Sequence, residues 1–194
     1  MKKPHILFLL VFTALQVGCV TQPATKPASY KRVSFNQFFD GQVASLPLAL
    51  NLPTDYVHAD GLELQATYSY WMNQDEISKV ARTGDLPSRT GYIYGKISTN
   101  EGYSQTAGKF TSEDQLDAQF ASQGMTVIER QRFKTKGYPV LSHIVRMRDG
   151  KVVCQMYVGT LISSNAIFIS YRPPNNDLKV GVEVWGKVLE ALRK

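Results

Sequence analysis

Cys154 and His143 are the two residues whose types could support covalent chemistry. A thiolate beside an imidazole can attack an acyl carbon, with the imidazole as base. Between them lies Asp149-Gly150. Asp-Gly between β-rich runs predicts a two-residue type I′ hairpin, because both central residues of that turn need φ > 0. Such a loop sets Met147 opposite Val152, Val145 opposite Cys154, His143 opposite Met156 and Leu141 opposite Val158. His143 and Cys154 then share a sheet face, diagonally across the hairpin, with backbones about 7–8 Å apart. Their neighbours on that face are Val145, Val152 and Met156. An apolar setting raises a thiol's pKa and makes it inert. Core packing is therefore the first expectation for the pair, and a hydrolase or transferase using it is the alternative.

Little else in the chain suggests catalysis. The three histidines, His5, His58 and His143, have no metal-ligand spacing. No HExxH, nucleophile elbow or glycine-rich phosphate loop occurs. The sequence implies no catalytic residue, no metal and no cofactor, and the expected class is a non-enzymatic binding protein.

Residues suited to binding are easier to find. Tyr68, Tyr70, Trp71, Tyr92, Tyr94 and Tyr103 form an aromatic set. In strands, Tyr68 and Tyr70 share one face, as do Tyr92 and Tyr94. Aromatic rings with polar tips suit glycan or protein contacts, and Trp71 is expected at such an exposed surface. Ordinary packing against the first helix competes with that reading. Arg130, Arg132, Lys134 and Lys136 alternate along another strand, and Arg146, Arg148 and Lys151 crowd the adjacent hairpin end. Together they suggest a basic patch for lipid phosphates, lipopolysaccharide or an acidic partner. Equally, they read as a charged edge that resists aggregation.

Several elements must position these residues. Gly137 to Arg148, Lys151 to Ile162 and Ala166 to Tyr171 read as three strands, the last apolar on both faces and hence covered on both sides. Leu46 to Leu52, Leu62 to Trp71, Tyr92 to Ser98 and Met125 to Phe133 are further strands. Asn73 to Glu76 has capping-box spacing and starts a helix that Gly84 stops. Thr111-Ser112 caps a second helix, with Leu116 and Phe120 four residues apart, ending at Gly124. Asp177 starts the last helix, with Leu178, Val182, Trp185, Leu189 and Leu192 as its apolar stripe. The polar stretch from Thr99 to Lys109 is a long loop of the kind that often carries function.

The N-terminal stretch points to the cell envelope. Lys2-Lys3 precede an apolar run from Ile6 to Leu15, too short to span a bilayer, and then Gln16-Val17-Gly18-Cys19. This resembles a bacterial lipoprotein signal peptide whose lipobox cysteine is acylated; Gln16 stands where that family usually has Leu. The resemblance implies removal of residues 1–18 and lipidation of Cys19. Acyl chains then anchor the protein, each buried methylene contributing about 0.8 kcal/mol. Residues 19–30 form the lipidated N-terminus and a flexible linker, whose Pro23 and Pro27 favour extended backbone reaching roughly 30 Å from the lipid. Residues 31–194 form a single domain. Val20, rather than Asp, follows the cysteine, which in lipoproteins of this class implies the outer membrane, facing the periplasm. The formal charge of +6 falls to +4 once Lys2 and Lys3 are removed, a mild excess that permits an anionic partner. Nucleic acid is not expected as a partner outside the cytoplasm.

Gln123-Gly124-Met-Thr-Val127, then Gly137-Tyr138-Pro139, a hairpin and a closing amphipathic helix resemble the Mog1/PsbP-like fold, and among lipoproteins the DcrB-like group. Asn51-Leu52-Pro53-Thr-Asp-Tyr56 resembles the opening of such domains. The resemblance covers roughly residues 46–192. It implies an α+β fold: an antiparallel β-sheet flanked by helices on both faces, an α/β/α sandwich. It brings no catalytic residues. The resulting expectation is a lipid-anchored envelope protein that binds or supports an envelope protein, glycan or lipid. A small-ligand carrier with a pocket between sheet and helix is a further alternative.

Overall fold

The computed structural model describes residues 27, 29–42, 46–60, 62, 68–86, 90–98, 118, 120–159 and 166–194. Cys19 and Tyr103, the loop over 99–109, the start of the helix at 111–112 and Leu116 lie outside them. Seven antiparallel strands form the main sheet: β3 (Val57–His58), β4 (Tyr68–Met72), β5 (Tyr92–Ser98), β6 (Met125–Thr135), β7 (Tyr138–Met147), β8 (Val152–Gly159) and β9 (Ala166–Arg172). Their spatial order is β3-β4-β5-β9-β8-β7-β6. A second sheet of two strands pairs β1 (Tyr30–Ser34) with β2 (Ala49–Pro53). Among the described residues no helix is long and apolar enough to cross a membrane.

The β7–β8 hairpin differs from the expected one by a single residue. The Met147 N–H donates to the Lys151 carbonyl at 2.8 Å and the Gly150 N–H to the Met147 carbonyl at 2.9 Å. Only Gly150 has positive φ, +83°, and the Asp149 carboxylate accepts from the Lys151 N–H at 3.1 Å. This is a three-residue loop, Arg148-Asp149-Gly150, closed by a left-handed glycine, and a type I′ turn would have needed Asp149 there as well. The register is accordingly Ile144 opposite Cys154, His143 opposite Gln155 and Leu141 opposite Tyr157. A slip of one residue turns every pair to the other face. Cys154 and His143 thus lie on opposite faces of the sheet, contrary to the expected diagonal pair.

One face is covered by α3 (Leu178–Glu190) and by the β1–β2 unit with its short helix α1 (Phe35–Phe38). The Asp177 carboxylate caps α3, accepting from the N–H groups of Lys179 and Val180. The buried stripe of α3 runs through Val180, Gly181, Val184, Trp185, Val188 and Leu189, while Val182 is 39% exposed. The expected stripe therefore holds at Leu178, Trp185, Leu189 and Leu192 and fails at Val182, one residue past the packed Gly181. Gly181 explains the error. A Cβ there would lie 3.2 Å from Pro173 Cγ and 3.5 Å from Cys154 Sγ, so a residue with no apolar side chain occupies the packed side. Helix α1 was not anticipated. Ser34 caps it, accepting from the Gln37 N–H, and Phe35 and Phe38 are fully buried.

The other face is covered by α2 (Gln74–Thr83) at one side and by helical residues 120–122 at the other. Asn73 caps α2, accepting from the Glu76 N–H at 2.9 Å, and Gly84 ends it at φ +65°, both as expected. Val80 packs with Met72, Leu86 and Tyr92, and Phe120 with Leu141, Val145 and Val153. The architecture is α+β, an antiparallel sheet between helical layers.

Candidate functional site

The sheet face turned away from α3 gathers the tyrosines. Tyr70 pairs with Tyr94 across β4–β5, and Tyr92 and Tyr68 extend the same face at either end. Ring centroids are 5.8 Å apart for Tyr68–Tyr94, Tyr70–Tyr94 and Tyr92–Tyr94, and 6.3 Å for Tyr70–Tyr92. Register alone carries the ladder further, to Phe168 (5.8 Å from Tyr94) and Tyr157 (5.2 Å from Phe168). Reading strands one at a time missed these two, since only the β5–β9–β8 pairing brings them together. Lys96, paired with Tyr68, lies 5.2 Å over its ring. Tyr68, Tyr70, Tyr94 and Tyr157 are half-buried, and Tyr92 is buried under α2.

The β6 arginines share this face. Arg130 pairs with His143 and Arg132 with Leu141, so two rows cross the sheet: Tyr70-Tyr94-Ser170-Gln155-His143-Arg130 and Tyr68-Lys96-Phe168-Tyr157-Leu141-Arg132. Arg132 and Lys134 are exposed and Arg130 is half-buried. The remaining cations do not join them. Arg146 pairs with Val152 and points to the α3 face. Arg148 and Lys151 sit at the opposite end of the β6–β7 pair, and Lys151 is held by Asp149 at 2.6 Å. Lys136 lies in the β6–β7 turn and donates to the Pro47 carbonyl at 2.8 Å. The single basic patch expected from the sequence is thus divided.

Trp71 does not belong to the site. It alternates out of the tyrosine face and is 4% exposed beneath α1. Its ring stacks on Phe38 at 5.7 Å and its Nε1–H donates to the Phe38 carbonyl at 3.1 Å. The expected exposed binding role is overturned because α1, unseen in the sequence, covers it.

Two constellations that look chemical prove structural. The Cys154 thiol donates to the Gly181 carbonyl at 3.6 Å, and burial pushes its pKa up. His143 lies on the far side of the sheet, edge-on to Phe120 at 4.9 Å. Near the opposite edge, His58 Nδ1 meets Asp60 and Nε2 lies 3.0 Å from Ser69 Oγ, the order of a nucleophile, base and orienting acid. Ser69, however, is buried, and its one hydroxyl proton goes to the Phe38 carbonyl. The imidazole must then donate at Nε2 to Ser69 Oγ, the reverse of the direction a base requires. The chain fastens α1 to β4. Among the described residues no group of three His, Cys, Asp or Glu could hold a metal ion.

Burial raises the phenol pKa of both Tyr70 and Tyr92 to about 12, and neighbouring tyrosines add to the effect; Arg172 partly offsets it at Tyr92. The neutral phenol is favoured in the fold, so folded pKa values exceed unfolded ones. Their contribution to stability is complete below about pH 10 and is lost as pH rises through 12. Absorbance titration at 295 nm should show a late group of phenols that titrates at about 10 once denaturant is added. A single wave near 10 in the native protein would contradict the buried ladder.

No family model matches the chain, and no curated protein matches it. Solved structures do. Cyanobacterial PsbP (CyanoP) from Synechocystis sp. PCC 6803 superposes with a TM-score of 0.50 at 12% identity, covering 90% of this chain and 96% of that one. The Ran-binding protein Mog1p of Saccharomyces cerevisiae gives 0.49 at 10% identity, over 86% of this chain and 95% of its own. The CyanoP likeness shows that the chain shares the PsbP-like fold, and at such identity it shows the fold alone.

Proposed function

We propose that this Mog1/PsbP-like domain is a non-enzymatic binding module, held at the bacterial cell envelope by lipid on Cys19, that binds or supports another envelope component. The observation that carries the binding role is the ladder of half-buried tyrosines flanked by Lys96 and Arg132 on one sheet face. Tyrosine brings large, rigid contact area with a polar tip, a combination enriched at recognition surfaces. The hydrolase alternative has lost its pair, since Cys154 and His143 are separated by the sheet. The anchor rests on the Lys2 to Cys19 stretch, and the outer membrane on Val20.

Two measurements test the two halves. Cys19→Ser should move the protein from the membrane pellet to the soluble fraction; unchanged fractionation and processing would remove the anchor. For binding, wild type and a Tyr68→Ala/Tyr94→Ala double variant are immobilised and exposed to solubilised envelope. A component retained by wild type and lost by the variant is the expected result. Identical retained profiles would mean that the tyrosine face is not the binding surface.

A further inference from the structure

His58, Ser69 and Trp71 share the sheet face under α1. His58 stands opposite Trp71 across β3–β4, and Ser69 lies two residues before Trp71 on the same strand. The Asp60 carboxylate meets His58 Nδ1, Nε2 lies 3.0 Å from Ser69 Oγ, and the Ser69 hydroxyl donates to the Phe38 carbonyl. The direction of each bond follows from the two ends of this chain. A carboxylate and a carbonyl only accept. Ser69 has one proton and gives it to Phe38, so its oxygen accepts from Nε2. Both imidazole nitrogens must then donate, and only the imidazolium carries two N–H groups. Through Ser69, that doubly protonated ring is tied to α1.

We infer that this chain is a pH-operated latch on α1, closed in acid and loosened as pH rises. An imidazole changes charge between about pH 5 and 8. Asp60, on the same segment, favours the second proton. The Trp71 ring, its centroid 5.4 Å from that of the imidazole, favours the cation as well. Lys31 of β1 opposes it, lying 5.8 Å from the centre of the same indole and bonded to the Tyr56 carbonyl. The Ser69 hydroxyl of β4 and the Phe38 carbonyl of α1 do not titrate in that range. As pH rises, one ring proton passes to solvent, which reaches the 25% exposed side chain. The bond to the Asp60 carboxylate is charge-assisted and the stronger of the two, so the neutral ring keeps Nδ1–H and Nε2 becomes an acceptor. Ser69 then turns its proton from the Phe38 carbonyl to Nε2. That carbonyl is left with the Trp71 N–H at 3.1 Å, and α1 loses one of its two side-chain ties to β4. What loosens is the cover of the Phe38–Trp71 stack.

Amide exchange on the full chain tests the latch, with the β8 amides as internal reference and as the check that each variant is folded. The Phe39 and Gly41 amides donate to the Phe35 and Asn36 carbonyls at 2.9 and 2.8 Å and so report on α1. Corrected for intrinsic exchange, their protection should fall by about fivefold or more between about pH 5 and about pH 9, while β8 stays unchanged. His58→Gln has no titrating ring and should remove the step. Asp60→Asn should remove it by holding the latch closed: the amide donates to Nδ1, Nε2 keeps its proton for Ser69, and α1 stays protected at the higher pH. Ser69→Ala should lower protection at both pH values and leave no step. Nitrogen-15 shifts of the neutral His58 ring should place its proton on Nδ1. No step in the wild type overturns the latch, as does a neutral ring protonated at Nε2. A step that survives in His58→Gln or Asp60→Asn belongs to another group and overturns it too.

Discussion

Trp185→Ala is expected to destabilise the domain by about 3–5 kcal/mol, a large part of a typical domain's stability. Trp185 is 1% exposed and sits in the middle of the α3 stripe against the sheet. Its Nε1–H donates to Ser142 Oγ at 2.8 Å, and Ser142 is itself buried, so truncation removes a donor from a hydroxyl that water cannot easily reach. Gly181 and Gly186 each cost α3 about 1 kcal/mol of helix propensity relative to Ala, so the helix owes its order to docking. Chemical denaturation measures the effect. A midpoint equal to wild type would mean that α3 does not dock, and the layered architecture would fail with it.

Trp71→Ala should cost nearly as much, about 3–5 kcal/mol. Four groups meet this ring: Phe38 stacks on it, the Phe38 carbonyl accepts its N–H, Lys31 lies 5.8 Å above it and the His58 ring lies 5.4 Å away. The loss should concentrate at the seam between the β1–α1–β2 unit and the sheet. Trp71→Phe keeps the ring and removes the donor, so it should recover most of the stability but not all. A Trp71→Ala protein with wild-type stability would restore the exposed binding role and remove α1 from its place in the core.

How far the sequence could be read follows from these cases. Alternation and turn residues were enough to locate strands β5 and β7 to β9, and capping chemistry located the start of α2 and of α3, because those signals are local. Asp149-Gly150 was compatible with a two- or a three-residue loop, and the choice inverts the faces; only the observed register separates Cys154 from His143. Gly181 carries no apolar signal, so the α3 stripe was read through Val182 instead. Trp71 needed knowledge of what covers it, and its cover is a four-residue helix some 33 positions earlier that shows no amphipathic period. The tyrosine ladder was half legible: Tyr68 with Tyr70 and Tyr92 with Tyr94 follow from period two, whereas Phe168, Tyr157 and the β6 arginines join them only through long-range pairing.

That pairing has a kinetic consequence. Strands β6 to β9 each pair with their sequence neighbours, so this meander closes over short sequence separations. The β5–β9 seam joins Tyr92 to Arg172 and Ser98 to Ala166, residues 68 to 80 positions apart. Closing so long a segment costs chain entropy before its contacts are formed, and slow folding tracks such separation. The meander should therefore be a nucleus to which β5, with β4 and α2, is added late, and pulse-labelled amide exchange would record β7 and β8 protected before β5. Simultaneous protection of both would argue for a single nucleus spanning the seam. In the proposed order the binding face does not exist until the last step: Tyr94 and Tyr157 reside on pieces that form separately, so a chain stalled before that closure has a folded sheet and no site.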